Sequence, residues 1–234
     1  MTKEEFEKLL CDVNDLIAIY EEIKPITNDG FDVAKIKLAV KQMAEKTIEN
    51  KEECAALLKW MDNHEFYTSP ASGRYHGNFD GGLCVHSLLV AYQALKFTGA
   101  FFIDFMKTPN AAKYTFTAED IFVAAIAHDF CKAGFYQVSF RNTKDVFGNW
   151  KKTPYFTVKD TNRTLGHGNE SVLLLLESMP AYLKKRPVLE AISRHMGFSD
   201  VTDTEMMNYS NFLENPLVLL IQMADQTASC WYGY

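Results

Sequence analysis

Apolar residues recur at three- and four-residue spacing along most of the chain, the period that places them on one face of a helix. The first such run carries Phe6, Leu9, Leu10, Val13 and Leu16 and closes at Pro25. A second, over 33–48, carries Ile36, Leu38, Val40 and Met43, and Asn50 is expected to end it before 52–61 resumes the pattern. Residues 1–64 hold no cluster of reactive side chains and read as an N-terminal helical extension packed on the remainder. Residues 65–82 are rich in Ser, Pro, Gly, Tyr and Asp and predict a loop. Helices are predicted over 83–97 and from Thr117 to His128, with Thr117 as N-cap and Asp120 three residues on. Between about 135 and 160 the period drops to two. There YQVSF and YFTV alternate, with Gly148 and Asn149 between them as a turn. Helical spacing resumes over 167–176, 187–195 and 215–229. The expected class is all-α, with one small β-hairpin inserted in a main domain of residues 65–234.

Composition supports a folded chain. At 234 residues with 47% hydrophobic and 13% aromatic content, the sequence has enough apolar surface for a substantial core. Unbroken apolar runs such as 173–176 and 217–221 fall far short of the roughly 20 residues a bilayer demands. The N-terminal MTKEEFEKLL is acidic and amphipathic and lacks an apolar signal region. A cytoplasmic protein with no membrane partner is therefore expected. The five cysteines (Cys11, Cys54, Cys84, Cys131 and Cys230) are scattered without a CxxC pair, a pattern that fits reduced thiols. A net charge of −6 argues against extensive binding of duplex nucleic acid. It leaves room for a small phosphorylated substrate held by a local cluster of cations.

The chemistry lies where ionisable groups interrupt apolar helices. In AIAHDFCKAG, His128 and Asp129 end a fully apolar run. His86 sits inside GGLCVHSLLV, His167 opens a helix in LGHGNES, His195 closes one in AISRHMG, and Asp225 breaks LVLLIQMADQTA. Singly, each has an ordinary explanation as a core histidine, a cap or a helix-dipole partner. His64, at a polar helix end, is assigned no role. Taken together, the groups share one property: burying any of them unpaired would cost several kcal/mol, roughly 2–7 for a neutral polar group. A metal ion satisfies several at once, since imidazole and carboxylate are its natural ligands. Six such groups suffice for one ion with open positions, or for two sharing a carboxylate.

The ordered pattern His86, His128-Asp129, Asp225 resembles the HD-domain superfamily of metal-dependent phosphohydrolases. HDFCKAG is similar to the family's His-Asp-x-x-Lys-x-Gly stretch, and YHGNFDGGLCVHS to the approach to its first ligand helix. GHGNES and RHMG resemble the added histidine sites of two-metal members, and ADQTAS the closing aspartate helix. The resemblance spans about Tyr75–Ser229; the first helices and the hairpin lie outside it. It implies an HD-type helical bundle with His86, His128, Asp129 and Asp225 around one metal, and His167 and His195 joining a second that Asp129 bridges. One or two divalent transition ions are expected. Imidazole-rich coordination favours Mn, Fe, Co, Ni or Zn over Mg.

The implied reaction is hydrolysis of a phosphomonoester or phosphodiester, of a nucleotide or short oligonucleotide, by metal-activated water. Asp129 and Lys132 would be catalytic, with Lys132 also meeting substrate phosphate. His76, Arg74 and Arg194 are secondary candidates for substrate contact. Arg141, Lys144, Lys151, Lys152, Lys159 and Arg163 read first as a solvated hairpin face. A phosphate-attracting lip beside Trp150, Tyr155 and Phe156 is the alternative. Two other functions share the ligand pattern: a di-iron oxygenase of the same superfamily, and a non-catalytic metal- or nucleotide-binding module.

Overall fold

The computed structural model describes residues 1–159 and 163–234, the side chain of Asp200 excepted. Helix α1 (Lys3–Ile23) starts in a capping box between Thr2 and Glu5 and ends where Lys24 turns left-handed. A two-residue hairpin, β1 (Ile26–Thr27) and β2 (Gly30–Phe31), leads to α2 (Val33–Thr47) and α3 (Lys51–Asn63). Asn50 does not close α2. It caps α3, its side chain accepting from the backbone N–H groups of Glu52 and Glu53. After the predicted loop, α4 (Gly82–Phe105) runs past its expected end at 97, because Phe102 on the added turns is fully buried.

Helix α5 (Ala118–Ala127) opens in the predicted capping box of Thr117 and Asp120. Strands β3 (Tyr136–Lys144) and β4 (Trp150–Val158) then pair antiparallel, as the alternation predicts. The expected end of that insertion at Asp160 lies outside the described residues. Helices α6 (His167–Ser178), α7 (Arg186–Ser193), α8 (Asp203–Met206), α9 (Tyr209–Phe212) and α10 (Pro216–Thr227) complete the bundle, and a π-helical turn (Ala228–Tyr232) extends α10. The class is all-α with a small hairpin.

The bundle is built around α4, which packs against α5 and α10 on one side and α1 and α2 on the other. Leu9, Val13 and Leu16 of α1 and Ile36, Val40 and Met43 of α2 belong to the same continuous core as Leu88, Leu89, Ile121, Phe122, Leu217 and Ile221. Among the described residues α4 alone is long and apolar enough to cross a bilayer, with a mean hydropathy of 1.3. The apolarity of its first part has a local explanation, since residues 82–95 are buried on every side, while Lys96, Ala100, Ile103 and Asp104 further along are exposed.

Two glycines bring the future site elements into contact. A Cβ on Gly82 would lie 2.0 Å from the Gly77 carbonyl oxygen, so the loop bearing His76 can rest on the start of α4 only if residue 82 lacks one. A Cβ on Gly168 would lie 2.1 Å from the Ser193 carbonyl oxygen. That close approach of α6 to the end of α7 puts His167 beside His195, with ring centroids 5.3 Å apart.

Candidate metal centre

Each of the six groups singled out in the sequence reaches the centre by a local device. His86 projects from the first turns of α4. His128 occupies the last, still helical position of α5, and Asp129 leaves the helix (φ −111°, ψ 20°), so the two adjacent side chains can converge. His167 is the first residue of α6, His195 follows α7, and Asp225 lies on α10. His86, His128, Asp129 and His195 are almost wholly buried. The Asp225 and His167 side chains, 16% and 27% exposed, are the ones that reach solvent.

Main-chain oxygens orient three of the imidazoles. Nδ1 of His128 lies 2.6 Å from the Ala125 oxygen, Nδ1 of His195 lies 2.7 Å from that of Ile192, and Nδ1 of His86 lies 2.8 Å from that of Tyr234. These oxygens only accept, so each Nδ1 carries a proton and donates it, which turns each Nε2 toward the centre. There the Nε2 atoms of His86 and His128 stand 3.2 Å apart. Between imidazoles protonated on Nδ1 alone, that is a contact of two acceptors. Nε2 of His195 is buried with no hydrogen-bond partner. A cation shared among these atoms would resolve both anomalies.

The spacings fit one. Nε2 of His86 is 3.1 Å from Oδ1 of Asp225 and 3.5 Å from Oδ2 of Asp129, and His128 Nε2 is 3.3 Å from the same Oδ2. Ligand bonds of about 2.1 Å separate neighbouring donors by about 3.0 Å at right angles and about 3.4 Å at tetrahedral angles. The other Asp129 oxygen, Oδ1, faces the opposite way, 2.6 Å from His167 Nε2 and 3.5 Å from His195 Nε2. Asp129 thus presents one oxygen to each half of the cluster. His195 is not confined to the second half. It also groups with His128 and Asp225, their ligand atoms all within 4.8 Å of one another.

The fixed charges are arranged in compensating pairs. Burial works to raise the Asp129 carboxyl, but Lys132, His128 and His167 override it and hold the group well below the usual carboxylate range. Burial likewise opposes ionisation of Asp225, and the imidazoles around it, His86 first, outweigh burial and keep the group a carboxylate. Lys132 is buried beside its partner, its Nζ 2.6 Å from Asp129 Oδ2. Burial acts to lower the ammonium's pKa, and Asp129 raises it above the ordinary lysine value. His167 is raised to about 9 against its own burial by its contacts with Asp129 and Cys131.

The secondary candidates separate. The His76 ring lies tilted beside that of His86, ring centroids 4.9 Å apart, and its buried Nε2 has no hydrogen-bond partner. Burial, His86 and Lys132 lower its pKa to about 4. Arg74 is exposed on the same loop. Arg194 is committed elsewhere, with a nitrogen 2.6 Å from Glu205 and its guanidinium over Phe212. Lys132, expected to meet substrate, is paired with a ligand carboxylate. Arg163 leaves the hairpin lip altogether and donates to the Cys131 and Ala133 carbonyls, and Lys159 pairs with Glu65.

Two contributors escaped the sequence reading. Cys131 groups with Asp129 and His167 as a third possible ligand set. Its position three residues after His128 was the only signal. The Tyr234 main-chain oxygen that orients His86 had none, being 148 residues away. No model of a known family, no curated protein and no solved structure matches the chain.

Proposed function

We propose that this protein is an HD-type metal-dependent phosphohydrolase acting on a nucleotide or short oligonucleotide. The observation that carries the proposal is the convergence of three backbone-oriented histidines on a buried aspartate whose two oxygens face two ligand groups. Divalent transition ions held there supply Lewis acidity, which activates water and neutralises charge on phosphoryl oxygens. His86, His128, Asp129 and Asp225 would hold one ion, and His167 with His195 and the second Asp129 oxygen another. The main-chain oxygens keep the imidazoles in the ligating tautomer. Lys132, 2.6 Å from Asp129 Oδ2, holds Asp129 ionised, and its ammonium would be available to a phosphate oxygen only beside that pairing. His76 adds an uncharged ring with a free nitrogen against His86, suited to hydrogen-bonding substrate.

Metal analysis and a hydrolysis screen on one preparation test the proposal. The purified protein is expected to carry one to two transition ions per chain and to release phosphate or cleave a phosphodiester only when loaded. Asp129→Asn should abolish turnover while the far-UV spectrum is retained. A folded, active protein free of metal would refute the proposal. Iron-dependent oxygen uptake without phosphate release would assign the chain to the oxygenase alternative instead.

A further inference from the structure

The β3–β4 hairpin is a projecting, two-faced element outside the ligand cluster. Residues paired across an antiparallel ladder share a face, and faces alternate along each strand. The register therefore collects Val138 with Phe156, Phe140 with Pro154, and Lys144 with Trp150 on one side, beginning with Tyr136 at the base. Phe140 and Trp150 on that face are 63% and 70% exposed, unusual for large apolar side chains that no other part of the fold covers. Cations are interleaved with them: Lys144 lies 5.1 Å from the Trp150 ring centroid, and Lys152 shares the face opposite Asn142. Within 135–159 five cations (Arg141, Lys144, Lys151, Lys152 and Lys159) stand against the single carboxylate of Asp145, in a chain whose net charge is −6.

The track starts at the centre. Tyr136 follows Lys132 by four residues, and its ring packs on Gly73 in the His76 loop, where a Cβ would lie 3.5 Å from Tyr136 Cε1 and 3.6 Å from the Phe156 oxygen. From there the face runs outward over nine residues, about 27 Å at the strand rise.

We infer that this face of the hairpin is a platform for single-stranded nucleic acid, bases stacking on Phe140 and Trp150 and phosphates meeting Lys144 and Lys152. Stacking on exposed rings combined with a cationic border is the chemistry that holds single strands without reading their sequence. A duplex keeps its bases stacked on one another and cannot use the rings. A second copy of the chain is the poorer occupant. Symmetric pairing of two such faces would bring Lys144 and Lys152 onto a face that carries no carboxylate to pair with them. The inference rests on the phosphohydrolase proposal for the fate of the strand, since it names the substrate class, but not for binding itself.

Binding can be measured without turnover. Fluorescence anisotropy of a labelled 20-mer of oligo(U) or oligo(dT) with the full chain in EDTA should show saturable binding that weakens as salt rises. A duplex of the same length should bind at least about tenfold more weakly. Replacing Phe140 and Trp150 together by Ala should weaken single-strand binding about tenfold or more. Lys144→Glu with Lys152→Glu should do so too and flatten the salt slope by roughly 0.7 for each phosphate no longer neutralised. All four side chains lie on the projecting hairpin, and circular dichroism checks that each variant folds. No binding by folded wild type, equal binding of duplex, or affinity unchanged in both variants overturns the inference. So does a concentration-dependent dimer that Phe140→Asp dissolves, which assigns the face to a second copy. Binding that survives while no phosphoester is ever cleaved would sink the hydrolase proposal and leave the platform standing.

Discussion

The Asp129–Lys132 pair yields a prediction whose size can be worked out. Asp129 is 1% exposed and Lys132 8%, with 2.6 Å between Oδ2 and Nζ. In Asp129→Asn the ammonium loses its counter-charge in a site that admits little water. Breaking a buried pair by removing one partner costs about 3–5 kcal/mol, since the remaining charge stays desolvated. His167 also loses its partner, but its partial exposure lets it shed its proton cheaply. For a chain of this length each kcal/mol moves Tm by roughly 2–4 °C, so Asp129→Asn should lower it by about 6–20 °C. The assay is thermal and urea unfolding in EDTA, where only the chain's own groups contribute. Lys132→Met removes the orphaned charge, so the double variant should be more stable than the sum of the single losses by about 1–3 kcal/mol. Losses that simply add, or an Asp129→Asn protein within about 0.5 kcal/mol of wild type, would show that the two charges are not coupled and refute the reasoning.

The remaining expectations concern other parts of the fold. Burial acts to raise the Glu119 carboxyl, but the Glu49 N–H, the Tyr182 hydroxyl and Lys185 together hold it below its ordinary value of 4.5. A depressed carboxylate contributes stability that is present above the unfolded pKa and lost as pH falls through the folded one. Unfolding free energy measured from pH 7 downward should therefore drop less steeply in Glu119→Gln than in wild type, and parallel acid limbs would contradict this. Gly168→Ala must push α6 away from Ser193, so both Tm and the number of ions bound per chain should fall. Full metal content with wild-type stability would show that the close approach does not set the His167–His195 spacing.

Most long helices were legible because each buries one face, and a three- to four-residue period survives in any such sequence. The hairpin was legible for the same reason at period two. What escaped was too short to show a period, as in the two-residue strands at 26–31 and the four-residue helices α8 and α9. The cluster was legible because an imidazole or carboxylate in an apolar helix is costly, and six such costs in one chain ask for a common remedy. Pairings between distant segments were not. Nothing in RHMG announces that Arg194 leans on Glu205 and Phe212, and nothing near His86 announces the Tyr234 main-chain oxygen. Asn50 carried the right signal for the wrong helix, since a residue between two periodic runs can close one or cap the other.

The position of the hairpin within the chain explains how a substrate platform can sit beside a precise ligand cluster without loosening it. The turn from His128 to Gly134 is anchored from three directions independent of the strands. Ser171 on α6 accepts from the Cys131 N–H at 3.1 Å, Ser69 in the 65–82 loop accepts from the Gly134 N–H at 2.9 Å, and Arg163 grips the Cys131 and Ala133 carbonyls while lying over Phe135. Arg163 belongs to the segment after the hairpin and Gly134 to the one before it, so the two ends of the insertion are pinned to the same turn. Motion or loading of the outer strands is then borne by these anchors rather than by Asp129 and Lys132. A metal site, held to about 0.5 Å, would need such insulation from an element proposed to engage flexible single strands. Of the hairpin's predicted cations, Arg163 therefore serves by leaving the surface, while Lys144 and Lys152 serve by staying on it.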